Sequence, residues 1–272
     1  EWMDSFFNDP NYEFEQPESL LRLEWINSWD ENADDRTKLR LKGKVQLPGL
    51  SRRLNLVFSG QETGVNNENK DVKGSVGLQF NLREQARSRV DATMGISSSS
   101  LTPGVRYRNQ GPLGNAFYYR YTQRLEWEDD DEGFYTTGEV NLDQRLADDD
   151  LLRWSNRLIY GEDTDGTEWR TNLSLRHRIT PKGSDQPFVI SYYGTIRGTS
   201  DPDITRAYRL GVLMRRQIYR RFLFAEIEPS YAWRKKKPGD DREGGWKFVL
   251  RFEIALQRDL RRARPQDLEH GD

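Results

Sequence analysis

In the stretch GGWKFVLRFEIALQRD (residues 244–259) every second residue from Trp246 to Leu256 is apolar. Trp246, Phe248, Leu250, Phe252, Ile254 and Leu256 form one row, and Lys247, Val249, Arg251, Glu253, Ala255 and Gln257 form the other. Successive side chains of a strand point to opposite faces, so this is a strand with one oily face and one charged face. A single strand cannot bury a row that long by itself. The rest of the chain must say what covers it.

The same pattern recurs. Leu39, Leu41, Val45 and Leu47 alternate with polar residues in LRLKGKVQL, and Val76, Leu78, Phe80 and Leu82 do so in SVGLQFNLR. Phe117, Tyr119, Tyr121, Leu125 and Trp127 do so in AFYYRYTQRLEW, and Trp169, Leu173, Leu175 and Ile179 in EWRTNLSLRHRI. Further segments fit near residues 20–29, 53–61, 87–96, 104–109, 134–146, 151–160, 188–197, 207–217 and 222–234. Together these make about fourteen strands. Dropping the short segment after Pro103, which Gly111, Pro112 and Gly114 follow closely, leaves about twelve. PESLLRLEWINSW also reads as a short amphipathic helix, which leaves the first strand open.

Composition narrows the class. The 272 residues are 35% hydrophobic and 32% charged, with no apolar run long enough for a membrane helix, about twenty residues. Aromatics reach 12%, with 8 Trp and 12 Tyr, which argues against disorder. A net charge of −2 offers no global basic field and points to no nucleic-acid partner. With no Cys there are neither disulfides nor thiolate metal sites.

The connections divide into two kinds. DENADD, GVNNENKD, EDDDEG, EDTDG, GTSDPD and KKKPGDDREGG are acidic or rich in Gly and Asn. LPGLSRR, REQA, GPLGN, ADDD and YRR are tighter, with ITPKGSDQP a longer exception. Trp29, Trp127, Trp169, Trp233 and Trp246 stand beside acidic connections and Trp154 beside a tight turn. Aromatic rings at the ends of apolar bands are what a bilayer interface selects.

In strand number, loop alternation and Trp placement, residues 20–258 resemble a Gram-negative outer-membrane β-barrel. The expected fold is an all-β, antiparallel, up-and-down transmembrane barrel of about fourteen strands, with twelve as the alternative and both termini periplasmic. The barrel is expected over residues 19–258. Residues 1–18 are expected as a periplasmic arm, plug or partner-binding strap, and residues 259–272 as a polar periplasmic tail. The resemblance implies contact with outer-membrane lipids and lipopolysaccharide, with a periplasmic protein partner expected through the termini. The oily row of residues 246–256 would then meet lipid and the charged row would line the interior.

The inward rows predict a basic interior. The expected lining residues are Lys38, Arg40, Lys42, Lys44, Arg120, Arg124, Arg153, Arg157, Arg170, Arg176, Arg178, Arg209, Arg215 and Arg251. Arg83 and Arg87 are placed on the same rows, and Tyr118, Tyr135 and Tyr193 also face inward. Inward acids are fewer, among them Glu24, Asp91, Glu126, Glu139, Asp143, Glu226, Glu228 and Glu253. Rings of Arg and Lys in a low-dielectric tube select anions. The same residues can instead zip to acids across the wall, which rigidifies without transport. Two functions follow. One is a channel for small anions or acidic oligosaccharides. The other is a non-conducting barrel that anchors or assists periplasmic proteins.

Catalysis finds little support, so the chain is read as a non-enzyme without cofactor or metal. Of two His, His270 lies in the polar tail and His177 on the lipid-facing row, with no Ser in register along its strand. EDDDE, DTD and DPD carry oxygen ligands but match no calcium motif, and read as solvated loops.

Overall fold

The structure, a computed structural model, describes residues 20–47, 53–60, 74–96, 101–114, 116–128, 133–180, 188–219 and 222–257. Strands follow one another without a helix among these residues. They are β1 (Leu20–Asp30), β2 (Ala33–Gln46), β3 (Leu54–Gly60), β4 (Gly74–Glu84), β5 (Ser88–Ile96), β6 (Leu101–Leu113) and β7 (Phe117–Glu128). The chain continues with β8 (Gly133–Arg145), β9 (Asp150–Gly161), β10 (Thr167–Ile179), β11 (Phe188–Ser200), β12 (Asp203–Tyr219), β13 (Leu223–Arg234) and β14 (Glu243–Gln257). Each pairs antiparallel with its neighbours in sequence. β1 closes on β14 from Leu20↔Gln257 to Asp30↔Lys247. Closure removes the free sheet edge, whose unpaired backbone groups would cost several kcal/mol each in hydrocarbon.

Two open questions of the sequence are settled here. The segment that also read as a helix is β1, with Trp25 stacked on Phe252 of β14 at 5.6 Å between ring centroids. The hairpin around Pro103 is kept. Pro103 is the third residue of β6 and Pro112 the next to last, near the strand ends where a missing N–H does least harm. The barrel therefore has fourteen strands, not twelve.

Burial is inverted relative to a water-soluble domain. The fully buried side chains include Arg153, Arg215, Lys44, Glu24, Glu253 and Asp91. Buried apolar side chains among the described residues are few, namely Ile159, Val189, Ile204, Ala207, Phe224, Ala232 and Val249, and Val189 and Phe224 cluster with Ala255 against them. Meanwhile Leu39, Leu125, Leu158, Leu173 and Leu210 stand exposed on the outer rows. Water would not tolerate an apolar surface wrapped around the whole barrel, whereas a bilayer requires one.

Size follows from strand number. Fourteen strands about 4.8 Å apart and tilted about 40° give a backbone circumference of about 88 Å and a diameter of about 28 Å. That leaves room inside for side chains and solvent.

Two expectations need correction. Arg83 and Arg87 do not join the inner rows. A register shift between Asn81 and Arg83 pairs Arg83 with Val90, on the outer row, and gives the inner position to Glu84 opposite Arg89. Arg87 lies in the turn between β4 and β5. The contrast of long and short connections is also weaker than expected. Only Glu31 and Asn32 join β1 to β2, and only Asp201 and Pro202 join β11 to β12. The strands extend into their acidic flanks because the other arm of the same hairpin supplies a partner there: Ala33 pairs with Asp30, and Ser200 with Asp203. The expected N-terminal arm and C-terminal tail lie outside the described residues.

Candidate functional site

The pairing register decides which residues share the inner face. In β1 and β2, Arg22 pairs with Lys42, Glu24 with Arg40 and Ile26 with Lys38. Lys44 lies two residues beyond Lys42 on the same row. Further round, Arg106 pairs with Arg124, and Arg120 with Asn141. Arg153 pairs with Asp143 and with Ser174, and Arg157 with Glu139 and Arg170. Arg176 and Arg178 pair with Ser191 and Val189. Arg209 pairs with Thr195, Arg215 with Glu226, and Glu226 with Arg251. Every residue named as lining thus falls on one continuous face, the one that holds the buried charges.

Carboxylates gather these cations into three groups. The first spans β12, β13, β14 and β1. Arg215 reaches Glu253 at 2.8 Å and Glu226 at 3.2 Å. Arg22 reaches Glu253 at 2.5 Å, and Arg251 also binds Glu226. On β2, Lys42 and Arg40 lie 3.2 and 3.9 Å from Glu24. The second group is Asp143 of β8, held by Arg120 of β7 at 2.6 Å and by Arg153 of β9 at 2.5 Å. The third is Asp91 of β5, with Arg89 at 2.7 Å, Arg106 at 3.3 Å and Arg108 at 3.5 Å.

All three centres sit in the half of the barrel nearest the chain ends. Asp143 is two residues from the end of β8, Asp91 three from the start of β5, and Glu226 three from the start of β13. Cross-strand neighbours approach within about 5.5 Å, so one acid can serve two adjacent strands. The Arg153–Asp143 pair is bidentate, which fixes both distance and plane.

Other inner cations keep more exposure. Lys38, Arg124, Arg157, Arg170, Arg176, Arg178, Arg209 and Lys247 are only partly buried. Of the inward tyrosines, Tyr118 is exposed and Tyr135 partly buried. Tyr193 lies across Gly211, where an added Cβ would come within 2.5 Å of its hydroxyl, and donates to Glu228 at 2.5 Å. It is therefore tied to the wall.

The outer rows carry the aromatics. Trp29, Trp127, Trp233 and Trp246 are exposed and Trp169 partly so, all near the end opposite the chain termini. Trp154 lies on the outer row of β9, in the half near the termini. Trp29 packs on Phe248 at 5.6 Å, and Tyr231 meets Trp233 at 4.8 Å and Trp246 at 5.2 Å. Trp25, unremarked in the sequence, adds an outer ring at mid-strand. His177 is also outward, with Nδ1 2.7 Å from Asp150, and its row neighbours Leu175 and Ile179 supply no nucleophile.

Sequence reading missed the seam at the far rim. Arg234 of β13 grips Asp30 of β1 at 2.7 and 2.8 Å, reaching across β14. Row parity places both inward. They were hidden because each abuts an acidic or basic run that reads as loop.

A closed antiparallel barrel, apolar without and charged within, is a bacterial outer-membrane β-barrel, the fold that outer-membrane channels use. No family model matches the chain, and no curated protein matches it. Among solved structures the chain is similar to a bacterial polysaccharide outer membrane secretin, with a TM-score of 0.50 and 10% identity over 89% of this chain and 99% of that one. It is also similar to the KdgM porin in complex with disordered oligogalacturonate, with a TM-score of 0.43 and 7% identity over 86% and 98%. The NanC porin gives 0.41 and 11% over 85% and 98%. At these identities the likeness concerns the fold.

Proposed function

We propose that this barrel is an outer-membrane channel whose basic interior passes small anions or acidic oligosaccharides. The observation that carries this reading is the set of partly buried inner cations, among them Arg124, Arg157, Arg170 and Arg209. They reach into the space that a barrel of about 28 Å backbone diameter encloses. A low-dielectric wall focuses their field along the tube and raises the local concentration of anions. Planar guanidinium groups suit carboxylates and sulfates. The paired acids near the chain ends hold the wall rigid while the remaining cations do the selecting. In this reading the outer tryptophans form the interfacial girdle, the outer rows contact lipid and lipopolysaccharide, and the termini meet a periplasmic partner.

The test is uptake into proteoliposomes of glucose and of glucuronate. The channel reading expects faster entry of the anion, and loss of that preference when Arg124, Arg157, Arg170 and Arg209 are all changed to Ser. Equal entry of both sugars through the unaltered protein refutes the basic selector. No uptake of either refutes the channel and favours the anchoring role.

A further inference from the structure

The outer rows meet hydrocarbon, so a polar side chain there needs a partner of its own or a way to water. Gln123 of β7 has the first. The Tyr121 hydroxyl donates to its Oε1 at 2.7 Å, its Nε2 donates to Thr136 Oγ1 at 2.5 Å, and the Thr136 hydroxyl donates to the Arg124 carbonyl at 3.0 Å. Asn27, which accepts from the Thr37 hydroxyl, has the second: Asp35 stands two residues beyond Thr37 on the same row, at the strand end. Asn109 accepts from the Tyr119 hydroxyl and lies opposite Ser88, the first residue of β5, again at a strand end.

Asn156 of β9 and Thr171 of β10 have neither. They are cross-strand partners, and Asn156 Nδ2 donates to Thr171 Oγ1 at 2.7 Å. Neither side chain has another partner among the described residues. The Asn156 carbonyl and the Thr171 hydroxyl proton are left over. Their row is the outer one, where Trp154, Leu158 and Leu173 stand exposed. Thr171 lies two residues inside Trp169, and Asn156 lies six residues from Asp150, where β9 begins. At about 3.4 Å per residue and a tilt of about 40° these steps are about 5 and 16 Å, so the pair lies inside a band about 25 Å tall. An unused acceptor beside an unused donor is costly there.

We infer that the outer face of β9 and β10 is a self-association surface, and that its occupant is a second copy of this chain. One acceptor beside one donor is self-complementary. About a twofold axis along the membrane normal, each Asn156 carbonyl faces the Thr171 hydroxyl of the other copy and accepts from it. The flanking Trp154, Leu158 and Leu173 carry no charge, so two like faces meet without repulsion, and a charged partner finds no counter-charge. Gly138 of β8 pairs with Leu158 and leaves a gap beside it, with Gln123 Oε1 3.2 Å from where a Cβ would stand. A small residue of this kind lets surfaces in the membrane approach closely. Association closes the open pair and does not depend on conduction.

Sedimentation equilibrium of the full chain in density-matched detergent tests this and should show monomer and dimer in exchange. Joint Asn156→Leu and Thr171→Val substitution should weaken the dimer about tenfold or more, whereas Thr171→Ser, which keeps the hydroxyl, should change it less than about threefold. An apolar pair suits lipid, so the double variant still folds, and a role confined to one barrel predicts no change in its self-association. The chain has no Cys, so an introduced thiol reports a single position. In phospholipid vesicles, Leu158→Cys and Leu173→Cys should each give dimers with a short bifunctional maleimide. Leu41→Cys, exposed on β2 across the barrel, should give none. A monomer at every concentration, equal cross-linking at Leu41 and at the β9–β10 positions, or an unchanged equilibrium in the double variant overturns the inference. So does a cross-link in native outer membranes that joins the chain only to a protein of another mass.

Discussion

The inside-out pattern makes a graded prediction for Leu250 of β14. Leu250 is on the outer row, paired with Asn27 of β1 and Ile227 of β13. It stands four residues from Trp246, the first outer residue of the oily row. At about 3.4 Å rise per residue and a tilt of about 40°, four residues descend about 10 Å. In an apolar band about 25 Å tall, that puts Leu250 about 3 Å from the midplane. Leu250→Arg should therefore cost the midplane value, about 2–4 kcal/mol. Trp246→Arg, at the band edge, should lose only about 0–1 kcal/mol to charge burial, besides its ring contact with Tyr231. Reversible urea unfolding in phospholipid vesicles, followed by tryptophan fluorescence, reads both. A cost below about 1 kcal/mol for Leu250→Arg, or a larger cost at Trp246, would refute the assignment of lipid-facing rows.

Three further outcomes are expected. Arg215→Met leaves Glu226 and Glu253 without their shared cation and should cost about 3–5 kcal/mol in the same unfolding assay; adding Glu253→Gln should restore part of the loss. Asp143→Asn removes the carboxylate between Arg120 and Arg153, so urea resistance should fall while anion preference in proteoliposome uptake rises. Gly211→Ala should displace Tyr193 from its place across the backbone and break its bond to Glu228, seen as changed tyrosine absorbance and a loss of about 1–3 kcal/mol.

Strand alternation was the most legible feature because period two survives any arrangement of loops. It marked a segment at each of the fourteen strands, with β1 and the hairpin after Pro103 left open until the pairing was seen. It also put the basic residues on one face, since parity within a strand fixes the face up to a single choice of inside. What parity cannot show is a slip. At Asn81 and Arg83 one extra residue shifts the row, and Arg83 moves outward while Glu84 moves in. Partner choice was equally hidden. Asp91 and Asp143 were visible as inward acids, but apart from Arg89 on the strand of Asp91 their guanidinium partners come from neighbouring strands at heights that only the register sets. The Asp30–Arg234 clasp spans 204 residues and reads locally as two loop edges. Connection lengths failed for a related reason: acidic runs such as DENADD are polar enough for loops, yet pair across their own hairpin.

The most direct measurement is single-channel recording of the purified protein in a planar bilayer under a salt gradient. Discrete openings with a reversal potential on the anion side are the predicted result, moving toward zero when Arg124, Arg157, Arg170 and Arg209 become Ser. A folded barrel that stays silent, or one that conducts with cation preference, would contradict the account of a basic, anion-passing interior.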